Sequence, residues 1–291
     1  MKVGSDIVGL RFKEYQTRIT LRQTTNYAAA VGDMNPRYLD DRREGGVVAP
    51  PMLAVAVSWP IVENIKSYLD LPYPPEIFNT IVHYSEYLEI TRPLRPGDRV
   101  TVSGEVLALI PHKAGSYIVF KFSVTDKDGK AIHQEYTGGI LRGVECTDGG
   151  KGEENIPMVP DHAASGDPEW SVTVPITPEA PYVYDGCTNI YFPIHTSPKF
   201  AKAVGLPGII YQGTATLALA VCELINREAG GDPERVKVIF GRFTGMVMPD
   251  SAIAVQLQGR RASGDYTELF FRVLNQQEKE AISLGYAKIG R

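Results

Sequence analysis

Cysteine is scarce in this chain and poorly placed for chemistry. Cys146, Cys187 and Cys222 are odd in number and far apart, with neither a Cys-x-x-Cys pair nor a nearby histidine. That excludes a zinc ligand set, and structural free thiols are expected. Basic charge is also in short supply: 30 Lys and Arg against 34 Asp and Glu leave a net charge of -4. With no basic field to attract phosphate backbones, nucleic acid is not an expected partner. No stretch approaches the roughly 18 consecutive apolar residues of a membrane span. The start, Met1-Lys2-Val3-Gly4-Ser5-Asp6, lacks the apolar core of a signal peptide. A cytoplasmic location without a membrane partner is therefore expected. His83, His112, His133 and His162 fall at strand positions or in a polar linker without metal spacing; no metal site is expected there, and none of the four is expected to be catalytic.

What the sequence does contain is a pattern written twice. The first copy runs from Gly32-Asp33-Met34-Asn35-Pro36-Arg37-Tyr38 to Ala49-Pro50-Pro51-Met52 and a long apolar stretch. The second runs from Asn189-Ile190-Tyr191-Phe192-Pro193-Ile194-His195 to Gln212-Gly213-Thr214 and another. At 291 residues, 43% hydrophobic and 22% charged, the chain buries an ordinary core and fits one large or two medium domains. The repeat favours two.

In the first copy residues 10–21 read as a strand, and 24–31 as a short helix capped by Thr24 or Thr25. Residues 52–69 are apolar on nearly every side in their first half, which predicts a buried helix kinked or restarted by Pro60. Strand signals follow at 81–90, 98–110, 117–125 and, after the turn Asp126-Lys127-Asp128-Gly129, at 131–141. The second copy repeats the order: a strand at 170–176, a loop at 185–195, a helix at about 214–228, then strands at 236–243, 251–261, 266–275 and 280–289. Between the copies, residues 145–168 are rich in Gly, Asp, Glu and Pro and read as a linker. The expected division is 1–145, a linker at 146–168, and 169–291. A buried helix followed by antiparallel strands, twice, is an α+β arrangement in which a curved sheet wraps a central helix.

The Gly32-Asp33-x-Asn35-Pro36 loop with Ala49-Pro50-Pro51 resembles the MaoC-like, R-specific enoyl-CoA hydratases. So does the Phe192-Pro193-Ile194-His195 loop with Gly205-Leu206-Pro207 and Gln212-Gly213-Thr214-Ala215, and the resemblance spans nearly the whole chain. It implies a tandem, or double, hot-dog fold: two antiparallel sheets, each wrapping a long central helix. It also implies hydration of a 2-enoyl thioester, or the reverse dehydration of a 3-hydroxyacyl thioester, on CoA or an acyl carrier, with no metal and no redox cofactor. Hot-dog units pair sheet to sheet, so one continuous curved sheet and a homodimer are expected.

Adding water across a double bond conjugated to a thioester needs a base for the water, an acid for the α-carbon, and donors for the enolate oxygen. In the family an Asp and a His of a Gly-Asp-x-Asn-Pro-Ile-His loop share the proton work. Unpartnered N–H groups at the start of the buried helix serve the oxygen, and a glycine there permits close approach. Neither copy is complete against this pattern. The first keeps Asp33 and Asn35 but has Tyr38 at the His position and Pro51, which has no N–H, at the Gly position. The second keeps His195 and Gly213 but has Ile190 for Asp, Phe192 for Asn, and Gln212 for the His before the glycine.

Catalysis is therefore expected in the second copy and acyl-chain binding in the first. His195 is the candidate general acid/base, Gly213 the oxyanion donor with Thr214 beside it, and Asn189 or Tyr191 an orienting group. Gln212, Asp33, Asn35 and Tyr38 complete the candidate substrate contacts, and Asp185 is a carboxylate that could fold back toward them. Plainer readings stand beside these. His195 is an ordinary partly buried histidine, Asp33 a turn or cap former before Asn-Pro, and Gly213 a packing glycine. Two other function classes remain open: a non-catalytic thioester-binding protein, and a hot-dog thioesterase in which Asp33 activates water.

Overall fold

The computed structural model describes residues 1–161 and 166–290. The first half holds β1 (Lys2–Val3), β2 (Arg11–Arg18), α1 (Leu21–Ala30), α2 (Pro36–Leu39), α3 (Leu53–Glu63), α4 (Ile65–Tyr68), β3 (Ile81–Ile90), β4 (Arg99–His112), β5 (Gly115–Asp126) and β6 (Ala131–Arg142). After β7 (Glu145–Cys146), the second half holds β8 (Trp170–Ile176), α5 (Ala180–Thr188), α6 (Pro198–Ala203), α7 (Gly213–Glu228), β9 (Val236–Phe243), β10 (Ser251–Ser263), β11 (Tyr266–Leu274) and β12 (Glu280–Gly290).

Ten strands form one antiparallel sheet in the order β2-β4-β5-β6-β3-β9-β12-β11-β10-β8. Each half supplies five strands in the same relative order, and the seam is the antiparallel β3–β9 pair, with Tyr87 opposite Phe240. The sheet curves over α3 and α7. Both helices are apolar enough to be wrapped: Leu53, Val55, Val57 and Ile61 of α3 and Ala215 to Val221 of α7 are buried. The main buried cluster draws residues from both halves. The duplication is visible in α1 and α5, which pack together and join Tyr27 Oη to Tyr184 Oη at 2.9 Å.

Local chemistry moves several boundaries. Thr20, not Thr24 or Thr25, caps α1: its hydroxyl accepts from the Gln23 N–H at 3.1 Å while Gln23 Oε1 accepts from the Thr20 N–H at 2.8 Å. The apolar stretch 52–69 is two helices, and the break is at Asn64 rather than Pro60. Asn64 caps α3: its backbone N–H makes the last i→i−4 bond, to the Pro60 carbonyl at 3.3 Å, and its Nδ2 donates to the same carbonyl at 3.1 Å. The predicted loop 185–195 begins inside α5, which ends at Asn189 in the left-handed region (φ 58°). The predicted linker is bound to the first half at its start: β7 pairs in parallel with β1, and Lys151 bridges to Leu109. His162, within that linker, lies outside the described residues.

Candidate active site

Helix α7 begins at a wall of buried apolar residues, and its first turn leaves the N–H groups of Gly213, Thr214 and Ala215 without an acceptor among the described residues. Gly213 and Thr214 line a cavity of about 320 Å³ built from both halves, including Trp59, Phe120 and Thr137 from the first and Ile190 and His195 from the second. A Cβ on Gly213 would lie 2.9 Å from the Phe243 ring. Glycine at this position thus admits Phe243 and keeps an N–H, so the packing reading and the donor reading are compatible.

His195 ends a turn over Pro193–His195. Its Nδ1 lies 2.8 Å from the Ile210 carbonyl, which can only accept, so Nδ1 carries the hydrogen and Nε2 holds a lone pair with no partner among the described residues. Burial lowers its pKa to about 4; the bond to Ile210 opposes the shift and the nearby His83 adds to it. At neutral pH the ring is an uncharged base with its orientation fixed.

The sequence reading missed His83, which lines the same cavity. In β3 the buried Glu86, Leu88 and Ile90 share one face by strict alternation, which would send His83 to the other. The β3–β6 register slips by one residue between His83 and Ser85, and that bulge returns His83 and Ile81 to the cavity side. His83 Nε2 lies 3.1 Å from the Ser85 carbonyl, 3.1 Å from Glu86 Oε2 and 3.0 Å from Thr137 Oγ1. The ring packs on Phe243 with centroids 4.7 Å apart, and burial lowers its pKa to about 4. Behind it, burial raises the carboxyls of Glu86 and Glu135 well above their ordinary range.

Two other predicted contacts line the cavity. Thr214 Oγ1 accepts from Tyr184 Oη at 3.2 Å, and Gln212 Nε2 donates to the Pro181 carbonyl at 2.9 Å. The other candidates lie elsewhere. Asn189 is an exposed helix cap whose N–H donates to the Asp185 carbonyl, and Tyr191 is 46% exposed; neither lines the cavity. Asp33 and Asn35 line a separate groove of about 970 Å³ beyond Tyr211. There Asp33 Oδ1 accepts from the Asn35 N–H, and Asn35 caps α2 and reaches the Gly231 carbonyl, so both side chains build the loop. Tyr38 is 1% exposed, packed on Ala28 and Val48. Asp185 sits in α5 away from the cavity. Near Pro51, where the first copy would have its own site, the open space is about 10 Å³, enough for about one water at most.

Two family descriptions match the chain: "MaoC like domain" over residues 161–276 and "FAS1-like, dehydratase domain region" over residues 6–135. The second half of the chain is thus MaoC-like. The chain is 24% identical over 269 residues to the enoyl-CoA hydratase ChsH3 of Mycobacterium tuberculosis, covering 89% of each chain. It is 27% identical over 244 residues to the peroxisomal enoyl-CoA hydratase 2 of Arabidopsis thaliana, covering 78% of this chain and 74% of that one. The fold is that of a MaoC-like dehydratase from Phytophthora capsici, with a TM-score of 0.82 at 21% identity over 98% and 97% of the two chains. Rv0216 of Mycobacterium tuberculosis, described as a double hotdog fold, aligns with a TM-score of 0.61 at 13% identity over 96% and 95%. No described helix is long and apolar enough to cross a membrane.

Proposed function

We propose that this MaoC-like chain hydrates 2-enoyl thioesters, or dehydrates the matching 3-hydroxyacyl thioesters, of CoA or an acyl carrier. One observation supports this most: the free Nε2 of His195 and the unpartnered N–H groups of Gly213 and Thr214 belong to one apolar-walled cavity. The thioester oxygen lies against those N–H groups, where the dipole of a 16-residue helix favours developing negative charge. His195 Nε2 takes a proton from water as its oxygen adds to the β-carbon, then returns a proton to the α-carbon. Trp59, Val62, Ile81 and Phe120 wall the space for the acyl tail. The closed space at Pro51 supports a single working site per chain. The reading includes a homodimer formed through surface outside this cavity.

The thioesterase alternative loses support because Asp33 is engaged in its own turn and is absent from this cavity. The test is a panel of short and medium 2-enoyl-CoAs followed by loss of enoyl absorbance, with product analysis. Hydrated acyl-CoA is expected. Free CoA thiol would mean thioesterase, and affinity without turnover would mean a binding protein.

A further inference from the structure

The loop that carries His195 has lost its carboxylate, since Ile190 is a buried wall residue of the cavity. The bulge in β3 brings a different polar group there from the other half of the chain. We propose that His83 is the second water-holding residue of the site: its Nδ1 accepts a hydrogen bond from the attacking water while His195 Nε2 removes the other proton. This rests on the hydratase reading above.

The geometry supports it in three ways. The Ser85 carbonyl can only accept, so His83 Nε2 carries the hydrogen and Nδ1 is left with a lone pair and no partner among the described residues. The Ser85 carbonyl, Glu86 Oε2 and Thr137 Oγ1 together fix the ring, and Phe243 supports its face. The side chain keeps 24% of its surface open although Glu86 behind it is fully buried. A buried carboxyl behind a histidine is costly unless something uses or satisfies it, and Glu86 Oε1 has no partner among the described residues.

The step balances with water and the enoyl thioester alone. The water oxygen bonds to the β-carbon, the double-bond pair moves to form the enolate, and one proton passes to His195 Nε2 and then to the α-carbon. The other hydrogen stays on the product hydroxyl and is the one donated to His83 Nδ1. A single water therefore supplies both groups, held between two uncharged imidazoles of which only His195 takes up a proton in the step.

The experiment compares His83→Gln and His83→Asn on crotonyl-CoA, with His195→Ala and wild type in parallel and thermal melts for each. Gln places a donor near the Nε2 position, toward Ser85 and Glu86, but removes the Nδ1 acceptor; Asn does the reverse. Water holding predicts that Asn retains more kcat/KM than Gln, with Gln falling by about 10²-fold or more. A residue that only satisfies Glu86 predicts the opposite ranking, and a Gln variant at least as active as Asn overturns the proposal. Should either variant melt before the assay temperature, His83→Phe keeps the ring on Phe243 without nitrogens. It must then show the same loss, and near wild-type turnover by it is also fatal. Inactivity of wild type toward enoyl-CoAs defeats both readings, whereas active wild type, inactive His195→Ala and the wrong His83 ranking defeat this one alone.

Discussion

Acidification to about pH 5 should remove almost none of the kcat/KM for a 2-enoyl-CoA. That parameter reports ionisations of the unliganded protein, the state in which burial holds His195 near pKa 4. A base with pKa about 4 is roughly nine-tenths neutral at about pH 5, against about 3% for an ordinary histidine at 6.5, a difference of about thirty-fold in rate. His83 faces the same cavity with a pKa of about 4, so the first proton taken up belongs to the pair, and the second is delayed by like charge.

Stability responds in the same window and its sign must be followed. His83, His133 and His195 are depressed from 6.5 to about 4, 3 and 4, so below about pH 6.5 the unfolded chain binds more protons than the folded one. Their contribution is complete above 6.5 and is lost toward pH 4 and 3, at about 1.4 kcal/mol per pH unit for each group. Glu86 and Glu135 act oppositely. Burial raises them above 4.5, so acidification protonates them in the folded chain first and favours folding. Circular dichroism at each pH separates loss of fold from loss of rate. A rate limb centred near 6.5 in a chain that is still folded would refute the argument.

His195→Ala should reduce turnover by about 10²-fold or more while Asp33→Asn changes it little, measured as enoyl-CoA hydration; the reverse ranking would move the site to the first copy. Gly213→Ala places a methyl 2.9 Å from the Phe243 ring and should destabilise by about 1–3 kcal/mol in urea melts. An unchanged midpoint would show that Phe243 moves aside freely. Thr20→Ala removes the reciprocal cap of α1 and should cost about 1 kcal/mol, read as a lower melting temperature.

Much of the fold was legible locally. Alternation and turn residues mark β3, β8 and β9 because a half-buried strand repeats every two residues, and the apolar beginnings of α3 and α7 show helices with no solvent face. The α1 cap was also written, as Thr20-x-x-Gln23, but apolar spacing drew the start toward Thr24. The predicted loop at 185–195 took in the last turn of α5, and the start of that helix was left unassigned, although its Pro181 is well tolerated in a first helical turn.

The site divides along the same line. Sequence alone determined the duplicated unit, and it showed that Pro51 has no N–H to offer and that Ile190 cannot carry a proton, since these are covalent properties of single residues. It could nominate His195 and Gly213 because both stand in a loop and helix start that local pattern exposes. The tertiary structure decided that Asn189 and Tyr191 point elsewhere, that Asp33 and Tyr38 belong to packing around the first loop, and that a strand from the other half brings His83 beside His195. A bulge of one residue reverses which face a strand presents, and that slip is set by pairing with β6 rather than by any signal within β3. Desolvation was out of reach for the same reason: the walls that keep both imidazoles uncharged come from segments far apart in the chain and exist only once the sheet has closed over its two helices.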